Sequence, residues 1–253
     1  MNARFFHPML CLAVPKLPEG PDWQLELRLD GYRGIGIKTN GRAPLASRNG
    51  KNFSERFPTV MRALNRLPDE TVIDGEIVAV NADGVPSFNL LQNGGSEHSI
   101  LFYAFDLLIL AGTDLRARPL EQRRSLLREL IPKLGDPIRH SETFDVPAAE
   151  HLKTVRQHGL EGIVAKRRSS TYRAGDHSGD WVKLRANQGQ EFVIGGYCAQ
   201  LEYLRFNPGR LQRGGQPQAC GADSKRIRPR FKAACFRPIS RFATRRMPSC
   251  ESP

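Results

Sequence analysis

Between Trp23 and Asp30 the chain alternates strictly, with Leu25, Leu27 and Leu29 on one face and Glu26, Arg28 and Asp30 on the other. A period of two demands a strand with one face against a core. The same habit, polar residues set among apolar strand formers, recurs further along. It is seen at Ser47-Arg48-Asn49-Gly50-Lys51, at Asp74-Gly75-Glu76 and at Phe102-Tyr103-Ala104-Phe105-Asp106. It returns at Glu161-Gly162-Ile163-Val164-Ala165-Lys166 and at Trp181-Val182-Lys183-Leu184-Arg185. Burying a polar group without a partner is costly. Singly, each segment has an ordinary structural reading, such as a turn, a structural ion pair or a solvated strand face. Together they put acids and bases at i and i+2 on several strands, which would line a cleft with both signs of charge.

The rest of the pattern gives these strands a setting. Tyr32 to Lys38 reads as a second strand, returning through the Asn40-Gly41 turn signal. Phe53 to Leu67 carries apolar residues at helical spacing, with Pro58 in its first turns and Pro68 past its end. Thr71 to Val80 is a strand interrupted by Asp74-Gly75-Glu76, and Ile100 to Leu108 is a buried strand carrying Asp106. Leu120 to Ile131 and Ala148 to His158 look helical, whereas Gly162 to Arg167, Asp180 to Arg185 and Glu191 to Tyr197 look extended. Strands outnumber helices and their order is mixed, so the expected class is α+β with mainly antiparallel sheets. There is no internal repeat and no glycine-rich phosphate loop of the usual spacings.

Charge is distributed unevenly. The 253 residues carry a formal net charge of +12. Residues 1–197 hold 26 Lys+Arg and 23 Asp+Glu, a net of +3, while residues 198–253 hold 12 and 3, a net of +9. The last 56 residues also contain six prolines and ten arginines and hold neither structural period, so they read as a basic, disordered tail. Such a tail also has the composition of a nucleic-acid-binding arm. Four of the five cysteines lie there, at 198, 220, 235 and 250, and the lack of any CxxC pair argues against zinc. No apolar run approaches the ~18–20 residues of a membrane span. The short apolar stretch from Met9 to Val14 is too brief for a secretion signal. The expectation is a cytoplasmic protein without a membrane partner or a disulfide framework.

A cleft of this kind has a natural ligand. Cations hold a triphosphate, carboxylates hold a metal ion or a ribose hydroxyl, and an aromatic ring covers a base. The six segments, beginning with Glu26-Leu27-Arg28-Leu29-Asp30-Gly31-Tyr32-Arg33, resemble in order and spacing the nucleotidyltransferase motifs of ATP-dependent DNA ligases. The likeness is strongest to the small bacterial ligases and to the ligase domain of the bacterial end-joining protein, and covers Pro8 to Tyr197. It implies an adenylation domain of antiparallel sheets with flanking helices over 1–190, followed by an OB-fold domain. It also implies nick sealing in DNA repair and recombination by a monomer that uses ATP and Mg²⁺ on nicked double-stranded DNA, beside other end-joining proteins. By position, Glu26 resembles the residue that reads the adenine amino group and Phe105 the ring that stacks on adenine. Arg33 and Arg48 match ribose and phosphate contacts, Glu76 the ribose-binding acid, and Lys183 with Arg185 the pair that grips phosphates. Lys166 falls among the nucleotide-binding positions, Asp30 among the catalytic ones, and Glu76 and Glu161 among the metal-associated carboxylates.

Two departures stand out. The family attacks ATP with a lysine two residues before Asp-Gly, and this chain has Arg28 there. An amine must lose its proton to attack phosphorus. With an arginine pKa of ~12.5–13.8, the neutral fraction at pH 7 is on the order of 10⁻⁶ to 10⁻⁷. A lysine at ~10.4 does about a thousandfold better, and its value falls readily in a cationic, desolvated site. Self-adenylation is therefore expected to fail. The OB-fold is the second departure: it should begin at Glu191-Phe192-Val193-Ile194-Gly195-Gly196-Tyr197, but one strand (191–197) is followed by Arg/Cys/Pro-rich sequence. A nucleotide- and DNA-binding remnant without catalysis and an RNA ligase or capping-type nucleotidyltransferase are the alternative readings.

Overall fold

The computed structural model describes residues 2–93 and 99–186, and beyond them the backbone of 197–200, 203–206, 211–213 and 216–218. The chain divides into two units, Met1–Gly189 and Gln190–Pro253, each considered by itself.

Two sheets build the first unit. One is five-stranded and contains β1 (Leu12–Ala13), β2 (Trp23–Arg28), β9 (Thr143–Phe144), β10 (Gly162–Arg167) and β11 (Trp181–Arg185), in the order β1-β11-β10-β2-β9. The other is six-stranded: β4 (Leu45–Ser47), β3 (Tyr32–Lys38), β5 (Thr71–Val80), β6 (Ser99–Leu110) and β7 (Thr113–Asp114) in that order, with β8 (Ile138–His140) on β6. Among the described residues only β1 on β11 and β8 on β6 pair in parallel. Four helices flank the sheets: α1 (Pro58–Leu64), α2 (Phe88–Asn93), α3 (Leu120–Leu134) and α4 (Ala148–Gln157). This is the antiparallel α+β architecture expected from the sequence.

Three apolar clusters explain the layering. Leu64, Ile73, Phe102, Leu107 and Leu127 pack the six-stranded sheet against α1 and α3. Leu25, Val155, Ile163 and Val182 pack the five-stranded sheet against α4. Between the sheets lie Met9, Ile35, Phe105, Leu108, Tyr172 and Trp181. Burying side chains of this size contributes roughly 1.5–3 kcal/mol each.

The chain crosses between sheets at Asp30-Gly31, since β2 belongs to one sheet and β3 to the other. Gly31 is there for space: a Cβ would lie 2.1 Å from the Ile77 carbonyl oxygen. The Asn40-Gly41 turn forms as expected, with φ of 48° and 73° and a Thr39–Arg42 bridge. Other expectations need correction. The Asp74-Gly75-Glu76 segment does not interrupt β5; the strand runs through it, and the register against β6 shifts between Asp74 and Gly75. The helix expected over Phe53–Leu67 is confined to Pro58–Leu64, because Pro58 sits at its first position and restricts the residue before it.

In the second unit β12 (Tyr197–Gln200) pairs with β13 (Tyr203–Phe206), and β14 (Leu211–Arg213) with β15 (Gln216–Gln218), all antiparallel. The expected barrel strand at 191–197 lies outside the described residues except for Tyr197. Of the segment read as a disordered tail, these short strands carry backbone, and 219–253 lie outside the described residues. Among the described residues no helix is long and apolar enough to cross a membrane.

Candidate active site

A cleft of about 680 Å³ opens between the two sheets. Glu26 and Arg28 reach it from β2, Lys166 from β10, and Trp181 and Lys183 from β11. Across from them stand Arg33 on β3, Glu76 on β5 and Phe105 on β6, with Arg48 and Lys51 on the loop after β4. The chain brings these together by crossing sheets at Gly31, which sends Glu26 and Arg33 to opposite walls.

The polar face of β2 lines the cleft as expected, and Glu26 is its most deeply buried member. Glu26 is 2% exposed and is saturated with donors. Its Oε2 accepts from Lys166 Nζ and Ser141 Oγ, each at 3.0 Å, and its Oε1 accepts from Arg124 Nη1 at 3.0 Å and Gln24 Nε2 at 3.2 Å. Burial alone would push this carboxyl up, but Lys166 and Arg124 more than reverse it and hold it below the usual carboxylate range. Arg124 also donates to the Phe105 carbonyl at 2.9 Å and to the Ser141 carbonyl, so α3 anchors the cleft floor.

Arg33 is equally committed. Its Nε and Nη2 donate to the two carboxylate oxygens of Asp74, both at 2.6 Å, in the fork geometry that makes such pairs strong. Tyr172 donates its hydroxyl to the same Asp74 at 2.7 Å and accepts from the Met9 backbone at 3.0 Å. The ring expected to cover a base, Phe105, is flanked by cations: Lys166 Nζ lies 4.1 Å and the Arg33 guanidinium 4.6 Å from its centroid. Lys166 also sits 4.4 Å from the Trp181 centroid. Two charged networks and an aromatic pair thus preorganise both walls of the cleft.

The cations left for a ligand are others. Arg48, Lys51 and Lys183 line the cleft with no carboxylate in ion-pair contact among the described residues. They fit a triphosphate, which needs multiple fixed positive donors. Arg28, at the position where a nucleophile is expected, forms an ion pair with Glu161, whose neighbour Gly162 is its cross-strand partner. Burial pushes the Glu161 carboxyl up, against the opposing pull of Arg28. Glu76 is pushed up to about 8, first by burial and then by Asp74 and Glu161, despite Arg33 and Arg28. It is therefore mainly protonated at neutral pH.

These two carboxyls are the expected metal ligands. Glu161 is tied to the Arg28 guanidinium, and Arg28 and Arg33 also act on Glu76, so the residues present do not fit a resident Mg²⁺. No group of three or more His, Cys, Asp or Glu among the described residues is arranged to hold a metal.

Of the positions expected from sequence, Glu26, Arg28, Arg33, Arg48, Glu76, Phe105, Lys166 and Lys183 meet in the cleft. Asp30 and Arg185 are exposed and do not line it, and Glu161 touches it only through Arg28. Sequence reasoning missed Asp74 and Trp181, although both lie inside the polar-in-apolar segments. It also missed Arg124, Ser141 and Tyr172, which sit in segments with no distinguishing pattern.

The region that carries the cleft also matches known proteins. The model of the ATP dependent DNA ligase domain matches residues 8–185. The multifunctional non-homologous end joining protein LigD of Pseudomonas aeruginosa is 40% identical over 195 residues, which is 75% of this chain and 23% of that protein. The chain thus spans about a quarter of the length of such curated relatives. The crystal structure of the ligase domain of Mycobacterium tuberculosis LigD superposes with a TM-score of 0.64 at 34% identity, covering 71% of this chain and 59% of that one. A mycobacterial DNA ligase D complexed with ATP and MES gives 0.63 at 33%, covering 77% and 64%. The matched region contains every strand that lines the cleft, and the chain belongs to the ATP-dependent DNA ligase family.

Proposed function

We propose that the cleft takes ATP, that nicked duplex DNA is the partner, and that the protein serves in repair by end joining while being unable to form an adenylate of its own. The convergence of Glu26, Arg33, Phe105, Lys166 and Lys183 on one cleft between two sheets carries this reading. The likeness to a ligase structure holding ATP supports it.

The chain's own residues have separable tasks here. Arg48, Lys51 and Lys183 supply charge for the phosphates. Glu26, with Lys166, presents a fixed polar edge beside Phe105 and Trp181 at the end that would take the base. The Arg33–Asp74–Tyr172 network locks the wall opposite β2. Arg28 occupies the attacking position with a group that keeps its proton at any physiological pH. For this reason a second reading, nucleotide and DNA binding without catalysis, is favoured by Arg28 itself.

Titration with ATP and GTP, alone and with a duplex carrying a 5′-phosphorylated nick, tests the proposal. ATP should bind at least about tenfold more tightly than GTP, as a site built on hydrogen bonds to one base rejects another. Nick binding should weaken steeply with salt, as phosphate contacts release counterions. Equal affinity for the two nucleotides, or nick binding that ignores salt, would overturn it.

A further inference from the structure

We infer that this cleft binds the polyphosphate of ATP without a divalent cation, the Arg28 guanidinium standing where a metal ion would otherwise neutralise it. The inference rests on the nucleotide reading above and adds how the site manages charge. It starts from a juxtaposition in the five-stranded sheet. Arg28 on β2 lies across from Gly162 on β10, and its Nη1 forms an ion pair with Glu161, with side chains only 17% and 21% exposed.

Glu161 senses three cations, Arg28, Lys183 and Arg185, and one further carboxylate, Asp30. Glu76 belongs to the same cluster, and with Arg48 and Lys51 on the same cleft the cations outnumber these three carboxyls before any ligand arrives. A divalent cation approaching Glu161 must displace Arg28 or join an already positive cluster, and like charges at such range repel strongly. A polyphosphate meets the opposite situation. It adds negative charge where there is a positive surplus, beside Lys183, Arg48 and Lys51.

Arg28 has donors to spend on it. Its Nη1 is spent on Glu161, and among the described residues no hydrogen bond engages its Nε or Nη2. The guanidinium offers five N–H donors in a planar fork, enough to keep Glu161 and take phosphate oxygens together. Unlike an amine, it cannot be neutralised by losing a proton, so the charge stays in place throughout. The substitution that removes the nucleophile therefore also supplies a built-in counter-ion.

Calorimetric titration of the full chain with ATP, once with Mg²⁺ and once with excess EDTA, provides the test. The two affinities are expected to agree within about threefold, since the fixed guanidinium replaces the cation's charge-assisted contacts. R28M should lose at least about tenfold in EDTA and recover part of it with Mg²⁺, because one charge-assisted contact is removed. E161Q frees Arg28 and should strengthen binding in EDTA, and it keeps the inference testable if R28M does not fold. Binding that needs Mg²⁺ in the unsubstituted chain overturns the inference but leaves the nucleotide reading standing. Absence of ATP binding in both buffers overturns both.

Discussion

Replacing Glu76 by glutamine should stabilise the ligand-free protein, increasingly as the pH rises from about 4.5 to about 8. The carboxyl is raised from 4.5 to about 8, chiefly by burial and then by Asp74 and Glu161. Its folded-state value lies above the unfolded one, so folding favours the protonated form. That contribution is fully present below about pH 4.5 and is lost as the pH rises through about 8. Each tenfold change in proton affinity corresponds to ~1.4 kcal/mol, so the loss amounts to ~3–5 kcal/mol once partial solvent access is allowed for. Glutamine keeps the shape and stays neutral. Urea or thermal unfolding at pH 5 and pH 8.5 should show the two proteins alike at the lower pH. At the higher pH the variant should lead by ~3–5 kcal/mol, or about 10 °C for a domain of this size. The difference between variant and parent cancels other groups that titrate over the same interval. An equal effect at both pH values, or a glutamine variant less stable at pH 8.5, would refute the reasoning.

Other predictions follow from the networks behind the cleft. Arg123 and Asp106 are both 0% exposed and are joined by two hydrogen bonds of 2.8 Å, so D106N should cost ~3–5 kcal/mol in urea unfolding by stranding a buried guanidinium. G31A should unfold at markedly lower denaturant or expand the Asp30–Tyr32 corner, since its Cβ would lie 2.1 Å from the Ile77 carbonyl oxygen. E26Q should leave Lys166 and Arg124 with reduced compensation, lowering stability by ~2–4 kcal/mol and weakening ATP binding in the same titration.

Much of this fold can be read locally. Thr71–Val80 and Gly162–Arg167 begin and end where the sequence pattern places them, because their β-branched and apolar residues favour extended chain even around the polar positions. Ala148 starts α4 as expected, directly after Pro147. What cannot be read is who faces whom. The polar side of β2 has the pattern of a cleft lining, but the wall it meets is set by β3 leaving for the other sheet at Gly31. That glycine has the look of a turn residue, but its neighbour in space is forty-six positions away, at Ile77. Arg33 matches a ligand contact by position, and the structure gives its fork to Asp74, a pairing set by the register of β3 on β5. Arg124 and Ser141 hold Glu26 from α3 and from the turn before β9, where their spacing follows the helix and the loop and carries no trace of the site.

The most direct test of the central claim is incubation of the chain and of R28K with α-labelled ATP and Mg²⁺, followed by acid denaturation. The account predicts no acid-stable label on the chain with Arg28. It predicts label on R28K at a rate at least about a hundredfold higher, the ratio of neutral fractions between lysine and arginine at one pH. A labelled band from the unsubstituted chain, or no label on R28K while ATP still binds, would contradict it.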